Sequence, residues 1–421
     1  MDQIDHMTDQ TPVDASALAG TPNPSNSADF SPAITLAAYA DSLHDQVAKT
    51  SPVTNQDIYF TGSGKEYFRI WIVNLCLTIA TFGIYSAWAK VRRLQYFDRN
   101  TQLSGAVFNF HGDPVAILRG RLIAVVLLFA YHYVFQLSKT IGILVVACIL
   151  LGMPMMLRSA QRFRLRNTSY RGLRFNFHGS VTGAYLTYLP VVTVFLLPGL
   201  IGALYPHRPL WISVSLLSYL AWPWLHANMK RYQHGNFSYG TLQSDCTLKR
   251  SAFISTYVVA GFFMLGVAVV VGIASGVGVA IYQHIVASNA DPLLRSQFFV
   301  TVLVAIAALL FAYFAYLVCG PFVQATIWNK VWSSTLLTGF TIHSAVPRWK
   351  YLKLQSVNVI LTLLTLGLYR PFAVVRAYQF RLKHVQIAGP GFNAIQSGTG
   401  IASNSAAGDS SADFLGFDLS W

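Results

Sequence analysis

Long apolar runs dominate the middle of the chain and recur at short intervals. Eight such segments lie between the polar ends of the sequence, at residues 67–88, 118–137, 141–157, 183–205, 209–227, 254–282, 298–322 and 352–375. A helix needs about 20 predominantly apolar residues to cross a bilayer, with a working range of roughly 17–25. The six middle segments meet that length. The pattern therefore predicts a polytopic membrane protein with six spanning helices arranged as three hairpins.

The connections between these segments alternate in length and in charge. Three short turns, at 138–140, 206–208 and 283–297, carry one basic residue each. Four longer loops, at 88–117, 158–182, 228–253 and 323–351, carry 17 basic residues between them. Cytoplasmic loops of membrane proteins are enriched in Lys and Arg. We therefore expect the long loops, and with them both termini, to lie in the cytoplasm.

Short stretches of alternating apolar and polar residues lie inside the long loops. The sequence FNFHG occurs at 108–112 and again at 175–179, and weaker copies occur at 58–62 and 340–344. Strict alternation is typical of half-buried β-strands. Because each copy precedes an apolar segment, the pattern predicts an internally repeated protein. Strands that pair with one another must lie on the same side of the membrane.

A second repeat relates the first and last apolar segments. It places Asn, two Thr and Gly at fixed spacing, as Asn74, Thr78, Thr81 and Gly83 in one copy and Asn358, Thr362, Thr365 and Gly367 in the other. If all eight segments crossed the membrane, the two copies would run in opposite directions, and one of their basic flanks would lie outside. Two re-entrant or interfacial hairpins avoid this conflict, since irregular backbone at membrane depth is tolerated where protein covers it. Two ordinary spanning helices with a Gly kink are the alternative.

The predicted fold class is therefore an all-α polytopic membrane protein with short cytoplasmic β-segments. Six spanning helices in three hairpins are flanked by two homologous re-entrant or interfacial hairpins, and eight spanning helices are the alternative. The predicted domain limits are a disordered acidic tail at 1–57, an internally repeated membrane domain at 58–388 and a flexible Gly/Ser-rich tail at 389–421.

Composition and charge support a membrane protein. Apolar residues make up 54% of the chain and charged residues 11%, against a usual charged share of roughly 25%. Residues 58–392 hold 29 basic and 5 acidic side chains, a net charge of +24. Basic loops beside apolar spans attract anionic phospholipids. We therefore expect the lipid bilayer as partner rather than nucleic acid, for which no known binding motif is present.

Three motifs then resemble a known family. They are Tyr59-Phe60-x-Gly62-x-Gly64-x-Glu66-Tyr67-Phe68, then Gly83-Ile84-Tyr85-Ser86-Ala87-Trp88-Ala89-Lys90-Val91-Arg92, and the closing Thr365-Leu366-Gly367-Leu368-Tyr369-Arg370-Pro371-Phe372-Ala373. Together they resemble the YjgN family of bacterial inner-membrane proteins, over about residues 58–385. The resemblance implies an inner-membrane location. It supplies no activity and no catalytic residues.

The ionisable side chains offer few candidates for chemistry. No apolar span contains Asp or Glu, which argues against carboxylate-based proton coupling inside the membrane. His132 is the one titratable residue well inside a span, and it is either a proton site or a packing residue. Arg119 and Arg121 are candidates for binding lipid phosphate, with membrane-surface anchoring as the alternative. His111 and His178 are candidates for an anionic headgroup, or they cap strands.

The absence of catalytic motifs argues against an enzyme. There is no phosphate-binding loop, no nucleophile motif and no pair of carboxylates suited to hydrolysis, so neither a catalytic site, a cofactor nor a metal is predicted. Two functions remain open. The first is a transporter or channel for a small solute or lipid, with Asn74 and Asn358 near a pseudo-symmetric site. The second is a non-transporting membrane scaffold or envelope-stress protein that docks partners through its basic face and its acidic tails.

Overall fold

A computed structural model describes residues 54–289 and 297–390 of the chain. Helices and short strands alternate along it. The helices are α1 (Gly64–Ala80), α2 (Ser86–Arg99), α3 (Pro114–Leu137), α4 (Lys139–Asn167), α5 (Val181–Leu204), α6 (Pro209–Leu216), α7 (Trp222–His234), α8 (Ile254–Asn289), α9 (Gln297–Ser333), α10 (Arg348–Leu364) and α11 (Arg370–Leu382). The strands are β1 (Thr54–Phe60), β2 (Thr101–Leu103), β3 (Ala106–Phe110), β4 (Thr168–Tyr170), β5 (Leu173–Phe177), β6 (Phe237–Tyr239), β7 (Leu242–Cys246), β8 (Thr335–Leu337), β9 (Phe340–Ser344) and β10 (Val385–Gly389).

The ten strands form a closed antiparallel barrel. Each strand pairs with its neighbours in the order β1-β10-β9-β8-β7-β6-β5-β4-β3-β2, and β2 returns to β1. The ring closes where the first strand meets the last, with Thr54 opposite Gly389 and Asp57 opposite Gln386. Closure leaves no strand edge unpaired, and unpaired edges are the main liability of a sheet. Strands of three to seven residues are therefore able to form a stable sheet.

Tight turns join the strands of each hairpin. In the β2–β3 turn, Ser104 and Gly105 have φ of 48° and 76°, and in the β4–β5 turn Arg171 and Gly172 have φ of 47° and 80°. Positive φ at both central residues defines the type I′ turn, whose twist matches that of paired strands. Glycine occupies the second position because it adopts positive φ without strain.

Three of the helices that lead into barrel strands, α2, α4 and α7, end in a similar way. The side-chain amides of Asn100, Asn167 and Asn236 each donate to a carbonyl one turn back in their helix, at 2.8 Å. The backbone carbonyls of the same residues accept from an amide just after a neighbouring strand, also at 2.8 Å, and the donors are Thr61, His111 and His178. The asparagine thus caps the helix end and ties one hairpin to the next.

The largest buried cluster joins the barrel to the helices. It contains Tyr170, Tyr239 and Phe237 from the strands, with Leu157 from α4 and Tyr188 from α5. The Tyr170 hydroxyl donates to the Leu103 carbonyl at 2.6 Å, and the Tyr239 hydroxyl donates to the Tyr170 carbonyl at 2.8 Å. Buried tyrosines therefore connect successive hairpins through the barrel interior.

The predicted all-α fold class is wrong. The isolated β-segments are parts of a closed ten-stranded barrel. Within the described residues, three helices are long and apolar enough to cross a membrane, at Lys139–Asn167, Val181–Leu204 and Ile254–Ala280, and neither six nor eight spans are supported. The physical reason is that three-residue strands such as β2 and β4 carry too little alternation to be seen in the sequence, although the barrel depends on them.

Two further expectations change in detail. Segment 209–227 is not one helix, since α6 is followed by a 3-10 turn at Leu217–Ala221 and then by α7. Pro223, in the first turn of α7, explains the break, because proline begins helices readily and cannot continue one. In addition, the weaker copy at 340–344 aligns His343 with His111, but the structure gives the equivalent position to Ala345, whose amide donates to the His384 carbonyl. The predicted tails at 1–57 and 389–421 lie outside the described residues except at their inner ends, where residues 54–57 belong to β1 and Gly389 ends β10.

Closure of the barrel predicts a specific cross-link. Asn55 on β1 lies directly opposite Ala388 on β10, so a double variant with cysteine at both positions should form a disulfide under mild oxidation, detected by mass spectrometry of the linked peptides. Cysteine at Asn55 and Ile387 is the control, because a one-residue offset points the second side chain to the other face. Equal cross-linking in both variants would contradict the register.

Candidate functional site

A cavity of about 540 Å³ lies where the barrel meets the helices. Its barrel side is formed by residues from every strand except β7. Its helix side is formed by residues of α2, α4, α9 and α11, most of them in the C-terminal halves of these helices. The volume falls within the roughly 300–1,000 Å³ typical of small-molecule sites. The cavity is therefore large enough to hold a small organic molecule.

Aromatic rings make up much of the wall. The Phe108 ring stacks on Tyr170 with centroids 4.8 Å apart, and the Phe175 ring lies 4.8 Å from Tyr239. Rings of this kind provide a large, rigid, apolar surface. The complete set is Phe97, Phe108, Tyr170, Phe175, Phe237, Tyr239, Trp328, Trp332 and Tyr378.

Four cationic side chains line the same cavity. They are Lys90 and Arg93 from α2, Arg164 from α4 and Arg381 from α11. The wall contains one carboxyl group, that of Asp98. Three different helices bring these charges together, and cations outnumber the carboxylate by four to one. The electrostatics of the cavity therefore favour an anion.

Arg381 and Trp328 form the most distinctive part of the wall. The Arg381 guanidinium lies 4.6 Å from the centre of the Trp328 ring, a distance typical of a cation–π contact. The Arg381 Nε and the Trp328 Nε1 are both buried and have no hydrogen-bond acceptor among the described residues. Buried donors normally have a partner. These two N–H groups are therefore unsatisfied donors in residues of the cavity wall.

Asp98 lies at the end of α2, beside the cations. Burial raises the pKa of its carboxyl group to about 6, and the nearby charge of Arg164 opposes this shift. Burial also raises the pKa of Tyr378 to about 12, and the Asp98 charge adds to that shift. The Tyr378 hydroxyl lies 3.0 Å from that of Thr101. Asp98 is thus a carboxyl group that changes charge near neutral pH.

The two Asn-Thr-Gly repeats form matching helical hairpins, and they do not line the cavity. Asn74 in α1 and Asn358 in α10 are 7% and 2% exposed. The Oδ1 atoms of both are buried and have no hydrogen-bond donor within the described part of the chain. The Asn358 amide donates to the Ala373 carbonyl of α11 at 3.3 Å and to Gln355 at 3.2 Å. Asn358 therefore links the two helices of its hairpin.

The Thr and Gly residues of the repeat shape the turn between the helices. The hydroxyls of Thr78 and Thr362 each donate one turn back at 2.6 Å, and Thr81 and Thr365 each accept from the amide four residues on at 2.9 Å. Gly83 and Gly367 have φ of 90° and 95°. This geometry accounts for the spacing of the motif. A role in ligand binding or gating for its eight residues stays a prediction.

The remaining candidates lie outside the cavity. His132 is exposed on α3, with its ring edge against Tyr133 at 4.9 Å. Arg119 is exposed, and Arg121 is half-buried and donates to the Ser86 hydroxyl. No contact in the structure tests a proton or lipid role for them.

His111 and His178 hold equivalent places on the outside of the barrel. The Nε2 of His111 lies 2.9 Å from the Ser169 hydroxyl, and that of His178 lies 2.7 Å from the Ser238 hydroxyl. Burial, together with the charges of Arg174 and Arg99, lowers the pKa of His111. Each histidine joins its strand to the neighbouring hairpin, and binding of a headgroup stays a prediction. Among the described residues, no group of three His, Cys, Asp or Glu side chains could hold a metal.

Sequence reasoning missed every residue of the cavity. In the sequence, Arg164 and Arg381 contribute only to the positive charge of loops and helix flanks. Asp98 is one acidic residue among many basic ones. A usable signal was present, since charged residues cluster within the last turns of helices that end just before a strand. Without the barrel, however, nothing in the sequence indicates that these helix ends face one another.

Comparison with known proteins identifies the family. A family described as "Bacterial protein of unknown function (DUF898)" matches residues 55–414, which is most of the chain. The chain belongs to the DUF898 family. The motifs that resemble YjgN proteins lie within this match, so the family prediction is confirmed.

The curated relatives of this DUF898 chain are similar over part of its length. The inner membrane protein YjgN of Escherichia coli O157:H7 is 30% identical over 156 residues, 35% of this chain and 38% of that protein. The YjgN protein of Salmonella typhimurium is 31% identical over 146 residues, 33% of this chain and 36% of that protein. The chain therefore matches little more than a third of the relatives' length. No solved structure matches the chain. The relatives' names and the three apolar helices together support an integral membrane protein.

The hydrogen bond from Asn358 predicts a loss of stability in Asn358→Ala. The substitution leaves the Ala373 carbonyl without this donor and creates a small cavity, which should lower the free energy of unfolding by about 1–3 kcal/mol. Thermal unfolding in detergent measures the effect. Thr193→Ala, which removes an exposed hydroxyl bonded within its own helix, is the control and should change little. An unchanged stability in Asn358→Ala would contradict the packing role.

The raised pKa of Asp98 predicts a pH-dependent gain in stability for Asp98→Asn. The unfolded carboxyl ionises near pH 4, and the folded one near pH 6. Stability is therefore lost as the pH rises between these values, since the folded state disfavours the charge. At pH 7.5 we expect Asp98→Asn to be more stable than the parent by on the order of 2 kcal/mol. Near pH 4 the difference should vanish. The exposed Asp57→Asn is the control, and an equal gain there would contradict the assignment.

Proposed function

We propose that the chain is an integral inner-membrane protein of the transporter class that binds a small organic anion in its central cavity. The observation that carries the proposal is the wall of four cations and one carboxyl group among aromatic rings. Cations select for negative charge, and the rings favour an apolar or aromatic body. The ligand class is therefore an anion that carries an apolar part.

The position of the cavity supports transport over a surface role. Its lining combines strands of the barrel with four helices that belong to different hairpins. A shift of one helix pair would therefore change the cavity, and helix movements of this kind accompany conformational switching. The inner-membrane location follows from the names of the relatives. The scaffold hypothesis depends on the basic face and the tails, and no contact of the described residues favours it.

The test uses 2-naphthalenesulfonate, an aromatic anion that stays ionised throughout the pH range of interest. Its binding to the full chain in phosphatidylcholine nanodiscs is measured by calorimetry against empty nanodiscs, and 2-naphthalenesulfonamide is the neutral counterpart. We expect the sulfonate to bind and the sulfonamide to bind at least about tenfold more weakly, because charge-assisted bonds contribute roughly 1.5–3 kcal/mol each.

Variants locate the binding. Arg164→Gln and Arg381→Gln should each raise the Kd about tenfold or more. Arg174→Gln removes an exposed cation on β5 that does not line the cavity, and it should leave the Kd unchanged. Thermal unfolding of all three shows whether they are folded. Equal weakening by Arg174→Gln, or no preference for the sulfonate, would contradict an anion site in the cavity.

Two further measurements separate the possible sources and uses of the ligand. Nanodiscs containing phosphatidylglycerol show whether an anionic lipid competes with the probe, in which case the natural ligand is a lipid. Proteoliposomes loaded with the fluorescent sulfonate measure its release, which the parent should accelerate and Arg164→Gln should not. Binding without release would contradict a transporter and leave a binding protein.

A further inference from the structure

A carboxyl group in the cavity wall competes with a bound anion for the cations. Asp98 is the one carboxyl group in the wall, and it shares that wall with Lys90 and Arg93 on its own helix and with Arg164 and Arg381 on two others. The charge of Arg164 acts on the Asp98 carboxyl group, and the other three cations line the same wall. An incoming anion must therefore share the cavity with this carboxylate.

We propose that anion binding in this cavity is coupled to protonation of Asp98. One proton from the solvent bonds to a carboxylate oxygen of Asp98 as the anion enters, so the cavity gains one negative charge and loses another. The net charge in the cavity then stays the same. The inference rests on the proposed function, and it deepens that proposal by assigning a co-substrate, the proton.

Electrostatics give the direction of the coupling. Two negative charges in an enclosed, partly apolar space repel one another strongly, because the local dielectric is low. Arg164 of α4 and Tyr378 of α11 interact electrostatically with Asp98. Arg381 of α11 acts on Tyr378, and together with Lys90 and Arg93 of α2 it lines the same wall. A bound anion engages these cations and weakens their hold on the carboxylate. Protonation of Asp98 therefore becomes easier in the complex than in the free protein.

The free carboxyl group is already close to this transition. Burial raises the pKa of Asp98 to about 6, so the group is mostly ionised at pH 7.5 when the cavity is empty. A bound anion raises the pKa further. Binding between about pH 6 and 8 should then take up a fraction of a proton that approaches one.

This assignment reverses one expectation from the sequence. The absence of Asp and Glu from the apolar spans argues against a carboxylate that couples a proton to transport. Asp98 lies outside those spans, in the last turn of α2, yet the fold places it in the wall of the cavity. A proton-coupling carboxylate therefore needs no position at mid-membrane in this protein.

The experiment measures proton uptake on binding of 2-naphthalenesulfonate to the full chain in phosphatidylcholine nanodiscs. Calorimetry at pH 7.0 is repeated in buffers with different enthalpies of ionisation, and the slope of the observed enthalpy gives the number of protons taken up. The probe stays ionised and takes up no proton itself, so any proton taken up on binding is bound by the protein. We expect clear uptake by the parent and a Kd that falls by up to about tenfold per pH unit between pH 8 and 6.

Asp98→Asn provides the decisive variant. It removes the competing charge, so it should bind the sulfonate several-fold more tightly than the parent at pH 7.5, with no proton uptake and a Kd independent of pH. Asp57→Asn, on the outside of β1, should match the parent in every respect. Asp98→Glu, which restores a carboxyl group, should recover part of the uptake.

The outcomes separate the two proposals. If the sulfonate does not bind the parent at any pH, the proposed function fails. If it binds in the cavity, as shown by its loss in Arg164→Gln, but takes up no proton, the coupling alone is wrong. Uptake that persists undiminished in Asp98→Asn would also overturn the assignment, since another group would then receive the proton.

Discussion

Pairing of the first strand with the last holds this architecture together. Strands of three to seven residues contribute few hydrogen bonds each, and an isolated hairpin of that size is marginal in water. In a closed ring every strand has two neighbours, so each short strand is held on both sides. The contact between β1 and β10 joins residues more than 300 positions apart. That contact brings the two ends of the folded region to the same place.

Closure of the ring also determines where the helices end. Each helix pair returns to the barrel before the next hairpin begins, so the C-terminal turns of α2, α4, α9 and α11 converge around one axis. Arginine and lysine are common near helix C-termini because they interact favourably with the helix dipole. Here such residues also line a cavity, because several helix ends face one another across it. Charges that belong to separate helices therefore combine in one site.

The cavity and the hairpins divide the polar residues of the protein into two classes. Asn358 and the threonines of both repeats satisfy backbone groups and hold a turn whose conformation requires glycine. Arg381 and Trp328, by contrast, present buried N–H groups that no described residue accepts. Conspicuous repeats mark the first class, and no repeat marks the second. Regularity in the sequence is therefore a guide to architecture here, and a poor guide to the place where a ligand binds.

The amino-acid sequence by itself determined the membrane character, the family and the location of the more pronounced strands. Long apolar runs are stable in a lipid bilayer, and the alternation of apolar and polar residues in FNFHG suits a β-strand. The sequence also located the paired hairpin motifs, because a glycine at positive φ and capping threonines are local requirements. Only the tertiary structure decided that the strands close into a barrel, since three-residue strands gain their stability from neighbours distant in the chain. The same closure decided that Asp98, Arg164 and Arg381 share one cavity, because the charges of separate helix ends meet only when long-range pairing brings those ends together.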